Sequence, residues 1–217
     1  GSEMCIRDRV NCSGSPIGLE PETQKCEAIL QAWYPGQQGG TAVAEVLFGD
    51  YNPAGKLPVT FYRNVSQLPD FEDYNMTGRT YRYMQDVPLF PFGYGLSYTT
   101  FGYGKTVLDK NELTAGQSLK LTVPVTNTGK RNGEEVVQVY LRKQGDAEGP
   151  VKTLRAFKRV YIPAGKTVNV EFDLKDKELE WWDDQSNTVR VCPGSYDIMV
   201  GGSSKEEDLQ RTTVAIK

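Results

Sequence analysis

Hydrophobic positions follow two different periods along this chain. In the second half they alternate with polar ones: Leu119, Leu121, Val123 and Val125; Val137, Val139 and Leu141; Val168, Val170, Phe172 and Leu174. A period of two places one set of side chains on one face, as half-buried strands require. Leu154–Ile162 and Leu209–Ile216 read as further strands, and an early strand is expected within Tyr98–Leu108. Val189 and Val191, with Tyr196, Ile198 and Val200, read as a hairpin around Cys192-Pro193-Gly194-Ser195. Turns at Thr126–Glu134, Gln144–Pro150 and Pro163-Ala164-Gly165 separate these runs. About seven or eight short strands with regular turns form the pattern of an immunoglobulin-like sandwich, with Tyr196 placed to act as its tyrosine corner.

The first sixty or so residues are patterned differently. Val43, Val46 and Leu47 in Thr41–Phe48 lie at i, i+3 and i+4, one face of a helix, and Gly49 stands where a left-handed C-terminal cap belongs. Glu27–Trp33 places Ala28, Ile29, Ala32 and Trp33 near helical spacing before Tyr34-Pro35-Gly36 breaks the run. Asn11–Leu19 is rich in turn residues, and Leu57–Tyr62 reads as a strand after the turn Asn52-Pro53-Ala54-Gly55. Helices alternating with turns and a strand point to a parallel α/β unit. So short a stretch cannot close a doubly wound sheet, so an apolar face is expected to stay open unless upstream sequence covers it.

Between the two regimes lies Pro88–Phe101, PLFPFGYGLSYTTF, with five aromatics, two prolines and two glycines in fourteen residues. Helix is excluded by that mixture. The prolines impose extended backbone on the residues before them, the glycines permit turns, and the rings must be buried. The stretch is therefore expected to be a packed connector.

Composition narrows the chemistry. A net charge of −3 over 217 residues gives no electrostatic reason to expect nucleic acid as a partner. The chain has no apolar run of membrane-spanning length. It contains no histidine, which excludes Ser-His-Asp triads, Cys-His nucleophiles and histidine-ligated zinc within it. Cys5, Cys12, Cys26 and Cys192 form no C-x-x-C pair and read as unpaired thiols. Glu180, Asp183 and Asp184 do not match the spacing of an EF-hand calcium loop and read as a solvated turn. No cofactor and no metal is expected. Trp181-Trp182 could offer a stacking platform, but the simpler reading has one ring capping the sandwich core and the other partly exposed. Met4–Arg9, MCIRDR, resembles translated adaptor sequence in environmental gene fragments, so residues 1–9 read as a non-native leader and the chain as truncated upstream; the alternative is a native terminus without fixed structure. The sequons at Asn11, Asn64 and Asn75 are expected to be unused.

Two blocks carry a resemblance. Ala32–Tyr62, AWYPGQQGGTAVAEVLFGDYNPAGKLPVTFY, and Thr80–Phe101, TYRYMQDVPLFPFGYGLSYTTF, resemble the C-terminal region of family 3 glycoside hydrolases, the β-glucosidase and β-xylosidase type. Glu134–Arg142, Leu154–Val160 and Pro193–Ser204 resemble the fibronectin type III-like domain that ends many of these enzymes. The resemblance implies a mixed fold: the C-terminal remnant of an α/β sandwich domain (10–87, long loop included), the connector (88–101), and an all-β immunoglobulin/fibronectin type III-like sandwich (102–217). It implies a retaining exo-β-glycosidase that removes terminal β-glucosyl or β-xylosyl residues from oligosaccharides through a glycosyl-enzyme intermediate. In that family the nucleophilic aspartate lies in an N-terminal barrel and the acid/base earlier in the sandwich domain. Neither motif occurs here, so no catalytic residue is expected in this chain. Its partners would be the β-linked oligosaccharide and, in cis, the missing barrel and sandwich domains. Export to the periplasm or outside the cell is a further implication.

The long loop Arg63–Val87 carries an acidic cluster, Asp70, Glu72 and Asp73, then Arg79, Tyr81, Arg82 and Tyr83. An aromatic–Arg–aromatic run can stack on a sugar ring and hydrogen-bond its hydroxyls, and the resemblance places this loop near the sugar pocket. The same residues can instead pack on the scaffold, with Arg82 paired to Asp70 or Glu72. Asp70 and Glu72 themselves read as solvated acids rather than as a catalytic pair. A stand-alone carbohydrate-binding or adhesion sandwich is the alternative function, but a half-built α/β unit argues against it.

Overall fold

A computed structural model describes residues 7–217. Cys5 and residues 1–6 of the expected leader lie outside the described residues. The chain begins with β1 (Asp8–Asn11), so residues 8 and 9 of that leader are strand residues. Then come α1 (Glu20–Lys25), β2 (Ala28–Gln31) and α2 (Gly39–Phe48). β1 and β2 pair in parallel, Asp8 opposite Ala28 and Asn11 opposite Gln31, with α1 as the crossover. The expected helix over Glu27–Trp33 is thus β2. A short apolar run between breakers suits either state. The hydrogen bonds that β1 offers decide it, including Glu27 N to Arg7 O and Ala32 N to Asn11 O, both 2.9 Å. Helix forms earlier instead, where a proline near its first position and Glu20 and Glu22 in its first turn suit an N-terminus.

α2 matches the expected helix, and Gly49 closes it at φ +81°. Its only buried residue is Gly39, while Leu47 and Phe48 are exposed, so the apolar face does stay open. Leu57–Tyr62 is not a regular strand. Pro58 lacks a donor, and only Phe61 forms a bridge, to Phe90. Leu57 and Phe61 nonetheless tie this segment to the connector, Leu57 N bonding Tyr94 O at 2.8 Å and Phe61 N bonding Phe90 O at 2.9 Å.

The loop after Tyr62 contains one turn of 3-10 helix at Val65–Gln67 and one turn of α-helix, α3 (Thr80–Tyr83). The connector is packed as its rings require. Phe90 stacks on Tyr94 and meets Phe61 edge-on, and Phe92 stacks on Tyr81 at 4.2 Å between ring centroids.

The rest is β: β3 (Phe101–Tyr103), β4 (Val107–Leu108), β5 (Glu112–Leu113), β6 (Leu119–Asn127), β7 (Gly133–Lys143), β8 (Thr153–Ile162) and β9 (Thr167–Leu174). A helical turn, α4 (Asp176–Leu179), precedes β10 (Trp181–Asp183), β11 (Thr188–Arg190), β12 (Gly194–Gly201) and β13 (Gln210–Ile216). One sheet runs β5-β13-β12-β7-β8; in the other, β6 pairs with β3, β4 and β9. Between them, Leu119, Leu121, Val123 and Val125 meet Val137, Val139, Leu141, Tyr196, Ile198 and Val200 in a single core. Each such aliphatic side chain contributes roughly 1.5–3 kcal/mol on burial, so this core dominates the stability of the chain.

The alternating runs form strands as expected, but the expected hairpin does not. β11 pairs with β10 as a separate ribbon. Both edges of β12 are already taken, by β7 and β13, so β11 has no donor row to join. Tyr196 does act as a corner, its hydroxyl donating to Cys192 O at 2.9 Å.

Candidate functional site

The Arg79–Tyr83 segment is held by the strand-like residues before it. Thr80 sits at φ +55°, a region costly for a β-branched residue. Its N–H donates to the Tyr62 hydroxyl at 2.8 Å, and the Tyr81 N–H donates to Thr60 Oγ1 at 3.0 Å. These two bonds over-determine the turn and send its four side chains in different directions.

Arg79 folds back on its own loop, donating through Nε to Asn75 O at 2.8 Å and through Nη2 to Asp73 O. Tyr81 turns toward the sandwich: it stacks on Phe92, meets Tyr140 edge-on at 5.9 Å, and its hydroxyl accepts from Leu154 N at 3.2 Å. Arg82 lies over the Tyr83 ring, 5.5 Å from its centroid, and its Nε is buried without a hydrogen-bond partner. No ion pair with Asp70 or Glu72 is made by Arg82 among the described residues. The four residues therefore do not line one surface.

Of the four, Arg79 borders an open cavity of about 700 Å³ walled by loop residues such as Leu68, Phe71, Tyr74 and Met76. Phe71 and Tyr74 are 94% and 88% exposed. The loop carboxylates shape turns: Asp70 accepts from Glu72 N, and Asp73 from Asn75 N and Nδ2.

A second cavity, about 490 Å³, lies where the connector meets the sandwich. Lys56, Glu135, Tyr103 and Asp208 face it. Lys56 Nζ is 3.3 Å from Glu135 Oε1, which also accepts from the Tyr103 hydroxyl at 2.9 Å. Burial raises the Glu135 carboxyl above its usual range, and Lys56 pulls against that shift. Burial, then the Glu135 charge, pushes the Tyr103 phenol far up. Nearby, Gln138 Nε2 bonds Gly93 O at 3.1 Å and Gly202 O at 2.6 Å, locking the connector onto β7. Asn52 Oδ1 accepts from Tyr98 N and the Ser97 hydroxyl, while its Nδ2 donates to Asn132 O.

Sequence reasoning marked Gly93 and Asn52 only as turn residues and did not single out Lys56, Tyr103, Glu135, Gln138 or Asp208. In EEVVQVYLR the alternation assigns Gln138 and Tyr140 to the solvent face of β7, yet both are buried, under the connector. The one signal available was the aromatic connector itself, which needs a surface to cover.

Among the tryptophans, Trp181 is buried against Tyr196 and donates to Asp146 Oδ2 at 2.6 Å, while Trp182 is 50% exposed. Asp183 is held at about 2 by the Ser186 hydroxyl and Arg190, and Asp184 accepts from Trp182 Nε1. Cys12, Cys26 and Cys192 are free thiols among the described residues. Among the described residues, no helix is long and apolar enough to cross a membrane.

Residues 9–98 match the glycosyl hydrolase family 3 C-terminal domain, and residues 135–204 match the fibronectin type III-like domain. The chain is 56% identical over 95% of its length to a xylan 1,4-beta-xylosidase of Xylanibacter ruminicola, of which it covers 24%. It is 38% identical to a periplasmic beta-glucosidase of Salmonella typhimurium, matching 88% of this chain and 27% of that protein. Among solved structures, a β-glucosidase from Erythrobacter marinus superposes with a TM-score of 0.84 at 40% identity, covering 97% of this chain and 28% of that one. The chain thus spans about a quarter of the length of the relatives it matches. In order along the chain, residues 9–98 are thus a glycosyl hydrolase family 3 C-terminal domain and residues 135–204 a fibronectin type III-like domain.

Proposed function

We propose that this chain is the structural C-terminal portion of a retaining exo-β-glycosidase acting on terminal β-glucosyl or β-xylosyl residues. Both catalytic carboxylates lie outside it, in an upstream barrel and the earlier part of the sandwich domain. The observation that carries this reading is the asymmetry of the α/β unit. It is bonded to the β-sandwich through Lys56, Asn52 and the connector, while α2 leaves Leu47 and Phe48 uncovered. Such a face needs a partner, and the relatives are some four times longer than this chain. The names of the relatives support a β-xylosidase or β-glucosidase activity for the whole protein, and the periplasmic relative supports export.

Within that protein, Arg79 is the one of Arg79, Tyr81, Arg82 and Tyr83 placed to approach a sugar, because it borders the open loop cavity whereas Tyr81 is spent on the junction and Tyr83 lies under Arg82. Purified chain offered p-nitrophenyl β-glucoside and β-xyloside should show no turnover. Turnover that survives repurification and disappears in Asp70→Asn or Glu72→Gln would place the active site in this loop and overturn the reading.

A further inference from the structure

We propose that Arg82, Thr153 and Arg155 form a binding site for a small oxyanion of the sulfate, phosphate or carboxylate class, wedged between α3 and the start of β8. Among the described residues, the side-chain polar atoms that are fully buried without a hydrogen-bond partner are Arg82 Nε, Thr153 Oγ1 and Arg155 Nε. They come from two distant parts of the sequence that the fold brings side by side. α3 straddles the entry to β8: Arg82 O accepts from Val151 N at 2.7 Å, and the Tyr81 hydroxyl accepts from Leu154 N. Opposite, Leu141 pairs with Thr153, Tyr140 with Leu154 and Val139 with Ala156, so Arg155 is the extra residue of a bulge. A bulge re-aims its side chain, here over the Trp181 ring, 5.6 Å from its centroid.

The two guanidiniums are close enough to feel each other. Burial, then the Arg82 charge, holds Arg155 below the usual value of an arginine. Neither is in an ion pair among the described residues. Among the described residues Arg155 reaches a main-chain acceptor alone, Glu180 O at 2.5 Å. A buried water could accept from one of these donors, but it would leave two like charges together. An oxyanion accepts from several donors at once and offsets the repulsion, and arginine's planar fork suits it.

The test is calorimetric titration of the chain with sodium sulfate, sodium phosphate and sodium acetate, each in a sodium chloride background at constant ionic strength, with thermal unfolding in parallel. Saturable binding of at least one oxyanion is expected. Preference for sulfate or phosphate identifies a free inorganic anion; preference for acetate identifies a carboxylate, such as a side chain or an acidic ligand would present. Arg82→Gln should weaken binding more than tenfold, and the isosteric Thr153→Val about fivefold. Arg82→Gln also gives up the contact with the Tyr83 ring, so each protein's unfolding in chloride serves as its own baseline. The rise in unfolding temperature on adding the oxyanion should be seen in the wild type and be absent in Arg82→Gln. Oxyanion shifts no larger than chloride gives, or shifts kept in Arg82→Gln and Thr153→Val, would overturn the proposal.

Discussion

Lys56 and Glu135 show what one buried pair does here. Their side chains are 14% and 6% exposed, so each charge depends on the other. Removing one partner of a buried pair leaves an uncompensated charge and costs about 3 kcal/mol or more. Lys56→Met should therefore lower the urea midpoint, and by a pH-dependent amount. The folded Glu135 carboxyl titrates above its reference value of 4.5. Its contribution to stability is then fully present below that value and is lost as pH rises through the folded pKa. Without Lys56 the folded pKa climbs further, so the gap between wild type and variant should widen from about pH 4 to pH 7. Adding Glu135→Gln should abolish the widening; a gap independent of pH would refute the argument. Tyr196 offers a smaller case. Tyr196→Phe strands the Cys192 carbonyl and should cost about 1–3 kcal/mol in equilibrium unfolding.

Elements in this chain are placed by contacts made far away. The connector lies on β7 because Gly93, at φ +78°, brings its backbone against Gln138. A Cβ there would overlap Gln138 Oε1 and meet an unfavourable backbone region at once. Gly93→Ala should cost about 2 kcal/mol or more, and hydrogen exchange should rise first at Tyr94 and Ser204, whose neighbours bridge the two parts. Protection unchanged at those amides would mean that the connector does not depend on Gln138. The β10-β11 ribbon depends on Asp183, bonded to Ser186 and Arg190. Its pKa is depressed from 3.8 to about 2, so the stabilisation is present above the higher value and is lost as pH falls toward the lower. Fluorescence of the exposed Trp182 should change over that window in wild type and not in Asp183→Asn.

For the molecule, the division of stability follows the division of burial. The sandwich carries the large core, whereas the four-residue strands β1 and β2 bury little. Limited proteolysis should cut first within the exposed Phe71–Tyr74 loop and ahead of residue 50, leaving a resistant core that includes the connector. Equal resistance of the first sixty residues and the last hundred would contradict this, and would show that the α/β unit is stabilised independently of any upstream sequence.

How much of this was legible beforehand follows from how local each signal is. Alternation over Leu119–Val125 or Val168–Leu174 sets a strand and its buried face without reference to anything else, because side chains two apart share a face. Proline, glycine and ring content marked Pro88–Phe101 as a packed connector, and Gly49 marked the end of α2, for equally local reasons. Pairing is not local. Ala28–Gln31 became a strand because β1 offered a ladder, and Thr188–Arg190 joined β10 because β12 had no free edge. The same holds for the polar residues. Gln138, Lys56 and Glu135 look like ordinary surface positions in sequence, and Tyr81 looks like a free platform, until the connector and α3 fold over β7 and β8 and take them from water. By itself the sequence determined the long alternating strands of the sandwich, the turns between them and the family-like blocks. Tertiary structure alone decided which strands pair, which polar groups are buried together, and which side-chain polar atoms among the described residues are buried without a partner, because each depends on chain segments tens of residues apart being brought into contact.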